Sequence, residues 1–261
     1  MSKFYFLIIL SLTFLINNTD ASISGDPGEI IAIKLNNKNK NTNNLTVNIM
    51  GDIYELIPLP FDKQGKSILI NNESIYVNNK DFGESRIKIK NTSMVSLSEE
   101  DSQRAYKESQ IIKNTLNSYT TVYKPKFNFI QPVEGIISSR YGKRRFINDL
   151  PRSPHLALDI AALTGTKIVA PAKGKIILIG DFFYSGNYII IDHGYGLLTS
   201  YSHLSKVNVV KNQFVEQGQK IGEVGSTGRV TGPHLHWTVY LNKVRINPEL
   251  IIQEDFLKSL L

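Results

Sequence analysis

The chain has 261 residues, of which 41% are apolar and 10% aromatic, a composition typical of a folded protein and too hydrophobic for a disordered one. It contains no cysteine, which excludes disulfides and thiolate ligands, so a transition metal would have to be bound by His, Asp or Glu. The formal charge is +7, and residues 124–250 account for it with 16 Lys and Arg against 8 Asp and Glu.

The basic part of the chain predicts an anionic partner. By contrast, residues 22–123 carry 12 basic and 12 acidic side chains. We expect no nucleic-acid binding, because the sequence has no interleaved aromatic and basic residues, no zinc-finger spacing and no recognition-helix pattern. On charge alone, a bacterial cell-wall polymer is as suitable a partner as nucleic acid.

Residues 1–21 have the pattern of a secretory signal peptide. Lys3 supplies the positive start, Phe4–Ile16 is an apolar run of suitable length, and Thr19 and Ala21 are small residues at the −3 and −1 positions of a cleavage site. The run is too short for an ordinary membrane span. The alternative is an uncleaved anchor. Either way we expect an exported protein of the periplasm or cell envelope, with no stable membrane span after cleavage.

Short β-like runs separated by turn residues dominate residues 22–97. Their spacing predicts a small β-sandwich-like domain, which we interpret as a binding, regulatory or spacer module because it contains no His. The runs are Glu29–Leu35, Leu45–Met50, Ile53–Ile57, Ser67–Ile70, Ser74–Val77 and Arg86–Lys90, and the Asn-rich residues 36–44 form the longest break.

A helical linker is predicted over residues 98–123. Ser98 is a suitable N-cap, and the three acids that follow it favour a helix N-terminus. Ile112 and Leu116 belong to a weak apolar stripe. The alternative is an irregular connector.

Residues 124–250 return to a β pattern with Gly- and Pro-rich turns. We therefore predict a mostly β protein, with an antiparallel β-sheet domain here and a C-terminal tail at residues 251–261. The predicted strands are Lys167–Ala170, Lys175–Ile179, Tyr188–Asp192, Gly196–Ser200 and His234–Tyr240.

All five histidines lie in this domain, and two of them, His234 and His236, are separated only by Leu235. On a strand, His234 and His236 would project from one face, while Leu235 and Trp237 would point into the opposite layer. Two imidazoles on one face can share a metal, or one can bind it while the other transfers protons. The alternative is two surface histidines on a polar sheet face.

His155 and Asp159 form a second candidate pair, because imidazole and carboxylate both suit zinc. Pro154 and the residues after Asp159 favour a strand entering a loop, in which the same spacing returns to one face. The alternative is a loop histidine and a turn aspartate. Asn148 and Arg152 precede the pair, and we expect them to shape the cleft.

Two histidines remain. His203 is either functional or a strand-end histidine bonded to a backbone carbonyl, and His193 in a Gly-rich turn is interpreted as a local cap. Together the candidates provide three zinc ligands and further histidines for acid–base chemistry. A catalytic zinc takes three protein ligands and leaves a position for water. The helical His-Glu-x-x-His signature is absent, so this is not a thermolysin-like arrangement.

At this point the sequence resembles the lysostaphin-type zinc metallopeptidases, a family of peptidoglycan endopeptidases. The resemblance runs from about Phe129 to Pro248 and includes several separate motifs in the family's order. They are Ser138–Gly142, Pro154–Ala161, Gly165–Gly174, Gly186–Gly194, Tyr201–Ser205, Gly218–Gly222 and Gly225–Trp237.

The resemblance implies one zinc per chain, bound by His155, Asp159 and His236. It implies that His203 and His234 assist catalysis in a cleft of an antiparallel β domain. One position departs from the family pattern: Ala157 stands where Gly is common. Residues 22–97 also resemble, more loosely, the β-rich modules found ahead of such domains.

The function implied by the resemblance is hydrolysis of peptide bonds in peptidoglycan, in its stem peptides and cross-links, with a D,D cross-link as the favoured target. An alternative is a non-catalytic relative that binds and activates other wall hydrolases, which would be expected to lack metal ligands. A second alternative is a wall-binding protein with a structural zinc, for which His193 is the spare fourth ligand. We also expect the N-terminal module to contact the groove.

Overall fold

The computed structural model describes residues 23–35, 44–88 and 97–261. The predicted signal peptide at 1–21 lies outside the described residues, as do most of the Asn-rich break and the end of the run Arg86–Lys90. Among the described residues, none of the helices has the length and apolar character needed to cross a membrane.

The N-terminal module contains two small sheets. One is antiparallel with strand order β2-β4-β3, and the other has the order β1-β6-β5 with β1 parallel to β6. A shared apolar cluster of five buried residues, including Ile57 and Ile75, joins the two sheets. This agrees with the predicted β-sandwich-like module. Its elements are β1 (Ile23–Gly25), β2 (Ile30–Lys34), β3 (Thr46–Ile49), β4 (Asp52–Pro58), η1 (Phe61–Lys63), β5 (Lys66–Ile70), β6 (Glu73–Val77) and β7 (Glu84–Ile87).

Helix α1 spans Glu99–Thr115, where the sequence predicts a helix. Ser98 is its N-cap, and its side-chain oxygen accepts a hydrogen bond from the backbone N–H of Asp101 at 3.1 Å. Ile112 and Leu116 pack on a buried apolar cluster of the C-terminal sheet. The helix is therefore docked on the sheet as well as linking the two parts of the chain.

The C-terminal part is dominated by a ten-stranded sheet. Its path runs β16-β13-β14-β15-β18-β11-β8, all pairs along it are antiparallel, and β12, β17 and β19 attach at its sides. The elements are β8 (Ile136–Ser139), β9 (Arg144–Ile147), β10 (Leu150–Arg152), β11 (Leu158–Ala161), β12 (Lys167–Val169), β13 (Gly174–Phe182), β14 (Gly186–Asp192), β15 (Leu197–Val207), β16 (Phe214–Val215), β17 (Lys220–Val224), β18 (His234–Leu241), β19 (Val244–Ile246), α2 (Pro248–Ile251) and η2 (Lys258–Leu260).

The two parts of the chain share a core and a sheet. Strand β7 pairs in parallel with β9, and β9 pairs with β10. Val47 and Leu56 of the module belong to the same buried cluster as Phe129 of the C-terminal part. Residues 251–261, predicted as a tail, contribute Ile251 and Phe256 to that cluster. Burial of this extent holds the module against the domain.

Candidate metal centre

Three of the predicted residues converge on one point. Oδ1 of Asp159 lies 3.0 Å from Nε2 of His155 and 2.7 Å from Nδ1 of His236, and the two imidazole nitrogens are 3.4 Å apart. In tetrahedral coordination, with ligands about 2.0–2.1 Å from zinc, neighbouring ligand atoms lie about 3.3 Å apart. The three side chains can therefore hold one metal ion without rearrangement of the backbone.

The loop before β11 orients His155. Its backbone is held by paired hydrogen bonds, from Gly142 N–H to the His155 carbonyl and from His155 N–H to the Lys143 carbonyl. Its Nδ1 lies 2.9 Å from the carbonyl of Arg140 and donates to it, and its Nε2 is directed at Asp159. The sequence predicted that this segment is a strand that enters a loop. In the structure the order is reversed: His155 lies in a loop, and the strand begins after it, at Leu158.

Asp159 is ionised in this setting. Burial alone would raise the pKa of its carboxyl group, but attraction to His236 and hydrogen bonds from His155 and His236 outweigh burial and hold the pKa well below its usual range. A carboxylate that stays charged and already faces two imidazoles is suited to a divalent cation.

Strand β18 supplies His236 and His234 as the alternation predicts. Leu235 and Trp237 are fully buried in the core, so the two histidines face the other side. Nδ1 of His234 lies 2.8 Å from the carbonyl of Gly232 and donates to it, and its Nε2 is 3.9 Å from Oδ1 of Asp159. Burial lowers the pKa of His236, although Asp159 opposes the shift.

His203 lies on β15, the strand next to β18. Its Nδ1 is 2.9 Å from the carbonyl of Thr227 and donates to it, as the strand-end interpretation predicted. Its ring also lies 4.9 Å from that of His234 and 5.8 Å from that of His236, so it belongs to the same site. Burial, aided by repulsion from His236 and His234, lowers its pKa to about 3. The imidazole is therefore neutral, with Nε2 free to accept a proton.

A tight contact between two loops fixes the carbonyl that orients His203. The hydroxyl of Thr227 donates to the carbonyl of Leu204, and Oγ1 of Thr227 accepts from the backbone N–H of Asn187. Gly186 has φ +60°, and a Cβ there would lie 2.2 Å from Oγ1 of Thr227. The position requires glycine both for its backbone angle and for the approach of the threonine.

His193 lies away from the site. It is fully buried, its Nδ1 donates to the carbonyl of Lys173, and its Nε2 accepts from the hydroxyl of Thr199, each at 2.8 Å. Burial lowers its pKa to about 4. Its bonds are those of a structural histidine, in agreement with the local role predicted for it.

His203, His234 and His236 line a groove of about 370 Å³. Its floor crosses β15, β18, β11 and β8, and strand β7 of the N-terminal module contributes Ser85 and Ile87 to its lining. Asn148 and Arg152, predicted to shape the cleft, do not line it among the described residues, whereas Arg145 and Arg229 do. Arg145 lies outside the motifs, and Arg229 lies within the stretch Gly225–Trp237, where no role was predicted for it. The lining consists of Ser85, Ile87, Ser138, Ser139, Arg145, Ile147, Asp159, Tyr184, Ser185, Ser202, His203, Arg229, Val230, Thr231, His234 and His236.

Sequence comparisons match this part of the chain to known proteins. Residues 153–248 match the model of peptidase family M23. Peptidoglycan DD-endopeptidase ShyA of Vibrio cholerae is 41% identical over 112 residues, which make up 42% of this chain and 26% of the relative. DD-carboxypeptidase/endopeptidase Mpg of Neisseria meningitidis is 39% identical over 125 residues, 48% of this chain and 29% of the relative. The chain thus spans between a quarter and a third of the length of these curated relatives.

A structural comparison extends the likeness. The crystal structure of a candidate peptidase M23 from Pseudomonas aeruginosa superimposes with a TM-score of 0.67 at 28% identity, covering 87% of this chain and 94% of that one. This coverage takes in more than the segment matched by the family model. Motifs, sequence match and fold therefore agree, and residues 153–248 of this chain match peptidase family M23.

Proposed function

We propose that the chain is a zinc-dependent endopeptidase that hydrolyses peptide cross-links in bacterial peptidoglycan. The observation that carries the proposal is the convergence of His155, Asp159 and His236 on one point, with His203 and His234 beside them; all of these residues except His155 line one groove. The family match and relatives named as peptidoglycan DD-endopeptidases support the same reaction.

The metal in this proposal is a single zinc ion held by His155, Asp159 and His236. The donor set fits zinc, since two imidazoles and one carboxylate are common ligands of catalytic zinc and leave one position open. A zinc ion bound there would supply a Lewis acid and would lower the pKa of a bound water towards ~7.

Histidines 203 and 234 would move the protons. Each has its Nδ1 committed to a backbone carbonyl, of Thr227 and Gly232 respectively, so each presents Nε2 to the groove. One Nε2 would accept a proton from the attacking water and deliver it to the departing amine, and the other, once protonated, would stabilise the developing oxyanion. Because both Nδ1 atoms are anchored in the same way, either histidine can take either role.

The proposed substrate is the D,D cross-link between stem peptides, because the relatives ShyA and Mpg carry that activity in their names. Since this substrate lies outside the cytoplasm, we propose that the protein is exported to the periplasm or cell envelope, as the signal-like residues 1–21 indicate. Fractionation of producing cells tests the location, and recovery of the protein in the cytoplasm would contradict it.

The competing function is a non-catalytic regulator of other wall hydrolases. Such a protein would be expected to lack part of the ligand set, and the complete set at one point favours the enzyme. We also propose that the N-terminal module influences access to the groove, because Ser85 and Ile87 form part of its lining. The module would then narrow the groove or guide the substrate into it.

The decisive experiment incubates the purified chain with peptidoglycan sacculi in three conditions: zinc-loaded, treated with a chelator, and resupplied with zinc. We expect soluble fragments in the first and third conditions only. Mass spectrometry of the new ends identifies the bond that is cut. Tight binding to sacculi without fragments from the zinc-loaded protein would reject the enzyme and favour the regulator.

A further inference from the structure

The side of helix α1 that faces the sheet has an apolar half and a polar half. Positions four residues apart lie on the same side of a helix, one above the other. On α1 and at its C-cap these positions are Arg104, Glu108, Ile112 and Leu116. Ile112 and Leu116 pack on the buried cluster that includes Phe182, so apolar contacts dock the helix independently of its polar half.

The polar half binds the turn that joins β13 to β14, residues 183–185. Oε2 of Glu108 accepts a hydrogen bond from the backbone N–H of Phe183 at 2.6 Å. Its other oxygen, Oε1, accepts from Nε of Arg104 at 2.7 Å, which orients the carboxylate. A hydrogen bond from a backbone N–H to a carboxylate is charge-assisted and stronger than one to a neutral acceptor. The helix therefore holds the turn in one position.

The same turn holds the backbone of His203. The carbonyl of Ser185 accepts a hydrogen bond from the backbone N–H of His203 at 2.7 Å. His203 has φ +69°, a conformation that is uncommon for residues with a Cβ and that surrounding contacts have to maintain. The bond to Ser185 is one of these contacts.

The turn also supports the loop that orients the ring of His203. The carbonyl of Tyr184 accepts from the backbone N–H of Arg229 at 3.0 Å. Arg229 follows two residues after Thr227, whose carbonyl accepts from Nδ1 of His203. The turn and this loop pack closely, since a Cβ at Gly228 would lie 2.7 Å from the carbonyl oxygen of Tyr184. Displacement of the turn would therefore disturb both the backbone and the ring of His203.

We propose that Glu108 is a positioning residue for the hydrolysis, and that it acts on His203 through the turn at residues 183–185. This inference rests on the proposed function, in which His203 transfers a proton or stabilises the oxyanion. Among the described residues that line the groove Glu108 is absent, so it would act without touching the substrate. The helix that links the two parts of the chain, which precedes the segment matched by the family model, thereby gains a role in turnover.

A role confined to docking the helix makes a different prediction. In that case loss of the Glu108 carboxylate would lower the stability of the chain, and the folded protein would turn over substrate at an unchanged rate. A positioning role requires that the backbone amides of Phe183 and His203 lose their protection together and that kcat falls while zinc stays bound. Glutamine should restore both properties, because its amide oxygen can still accept from Phe183.

The experiment compares Glu108→Ala and Glu108→Gln with the unaltered chain, all zinc-loaded. Glu100→Ala is the matched control, because it removes an exposed carboxylate from the first turn of the same helix. Hydrogen exchange of the backbone amides is followed by NMR, and the amide of Ile190, in the buried part of β14, reports opening of the whole sheet. Separately, kcat and KM are measured on a soluble cross-linked peptide fragment of peptidoglycan. Thermal melts and zinc content show that each variant is folded and loaded.

For Glu108→Ala we expect exchange to become about tenfold faster or more at Phe183 and His203, and to stay unchanged at Ile190. We expect kcat to fall by about tenfold or more, and by a larger factor than KM rises, because a small misplacement of a catalytic group lowers the rate of the chemical step. Glu108→Gln should recover most of the protection and of kcat, and Glu100→Ala should match the unaltered chain.

Two results would overturn the inference. One is an unchanged kcat in Glu108→Ala, and the other is a loss of protection at Phe183 that does not extend to His203. Cleavage by the unaltered chain together with either result leaves the proposed function standing. No cleavage by the unaltered chain rejects the proposed function and the role in turnover with it, whereas a joint loss of protection would still establish the structural link from Glu108 to His203.

Discussion

Asp159 and His236 lie directly opposite each other on neighbouring antiparallel strands, β11 and β18, and Oδ1 of one is 2.7 Å from Nδ1 of the other. The same pair of strands places Ala161 opposite His234. Two of the proposed ligands are therefore positioned by sheet register, and the third, His155, is brought to them by a loop.

Loss of the carboxylate charge should remove the metal. For Asp159→Asn we expect zinc affinity to fall by at least about 100-fold, because even indirect partners of a ligand contribute 10–100-fold. Zinc content and competition with a chelator measure the change. Asp181→Asn is the matched control, since its side chain is 72% exposed and is not part of the groove lining. Full zinc occupancy in Asp159→Asn would contradict the proposed ligand set.

His203 should be needed for turnover and not for the metal. We expect His203→Gln to retain zinc and to lower kcat by about 10²–10⁴-fold, the usual contribution of a general base or acid. A glutamine amide can still donate to the carbonyl of Thr227, so the loop contact is preserved. Activity on sacculi and zinc content are measured together. His193→Gln is the control for the same substitution at a buried position, and loss of zinc from His203→Gln would contradict the assigned role.

His193 should make the fold sensitive to mild acid. Its pKa is lowered to about 4 in the folded chain, against an ordinary value of 6.5, so the unfolded chain binds the proton more readily. Stability attributable to this group is complete above the unfolded pKa and falls as the pH drops towards 4. Between pH 7 and pH 5 the loss is about 2 kcal/mol. Urea unfolding at the two pH values measures it.

The control for this prediction is the same titration with His193→Gln. We expect a smaller loss of unfolding free energy between pH 7 and pH 5, because the variant has no proton to take up at this position. Identical losses in both proteins would show that other groups determine the acid response.

Gly186 should be intolerant of a methyl group. In Gly186→Ala the new Cβ would meet Oγ1 of Thr227 at 2.2 Å, so the loop that orients His203 has to shift. Gly165→Ala is the matched control, since its φ is +90° and nothing lies within 4 Å of the added Cβ. We expect Gly165→Ala to cost about 1 kcal/mol and Gly186→Ala a further 1–3 kcal/mol, with lower activity. Equal melting temperatures would contradict the proposed contact.

The elements that the sequence predicted are those with a local signal. Alternation around Leu235 and Trp237 predicted the direction of both histidines on β18, and Ser98 predicted the start of α1. Four of the five predicted site residues line one groove, since each lies on a strand whose period-two pattern is clear, and the fifth, His155, contacts Asp159 and His236.

The features that were missed depend on distant pairing. The parallel pairing of β7 with β9 produces no periodic pattern in the sequence of either strand. Ser85 and Arg145 could therefore not be assigned to the groove. An arginine is usually a solvated surface residue, and nothing near Arg145 in the sequence distinguishes it from Arg144. The backbone of His203 adopts φ +69°, which depends on the loop packed against it and has no signature of its own.

The orientation of His155 has a consequence for transplanting this domain into other proteins. The segment matched by the family model begins at residue 153, yet the carbonyl that aligns the first imidazole belongs to Arg140, and one side of the groove belongs to β7 and β9. An excised fragment of residues 153–248 would retain all the proposed ligand atoms of the metal site. It would lose the segments that orient these side chains and enclose the groove. A chimaera that is to keep the metal site therefore has to include strand β8 and Arg140, which precede the His155 motif. A chimaera that is to keep the groove intact has to include the N-terminal module too.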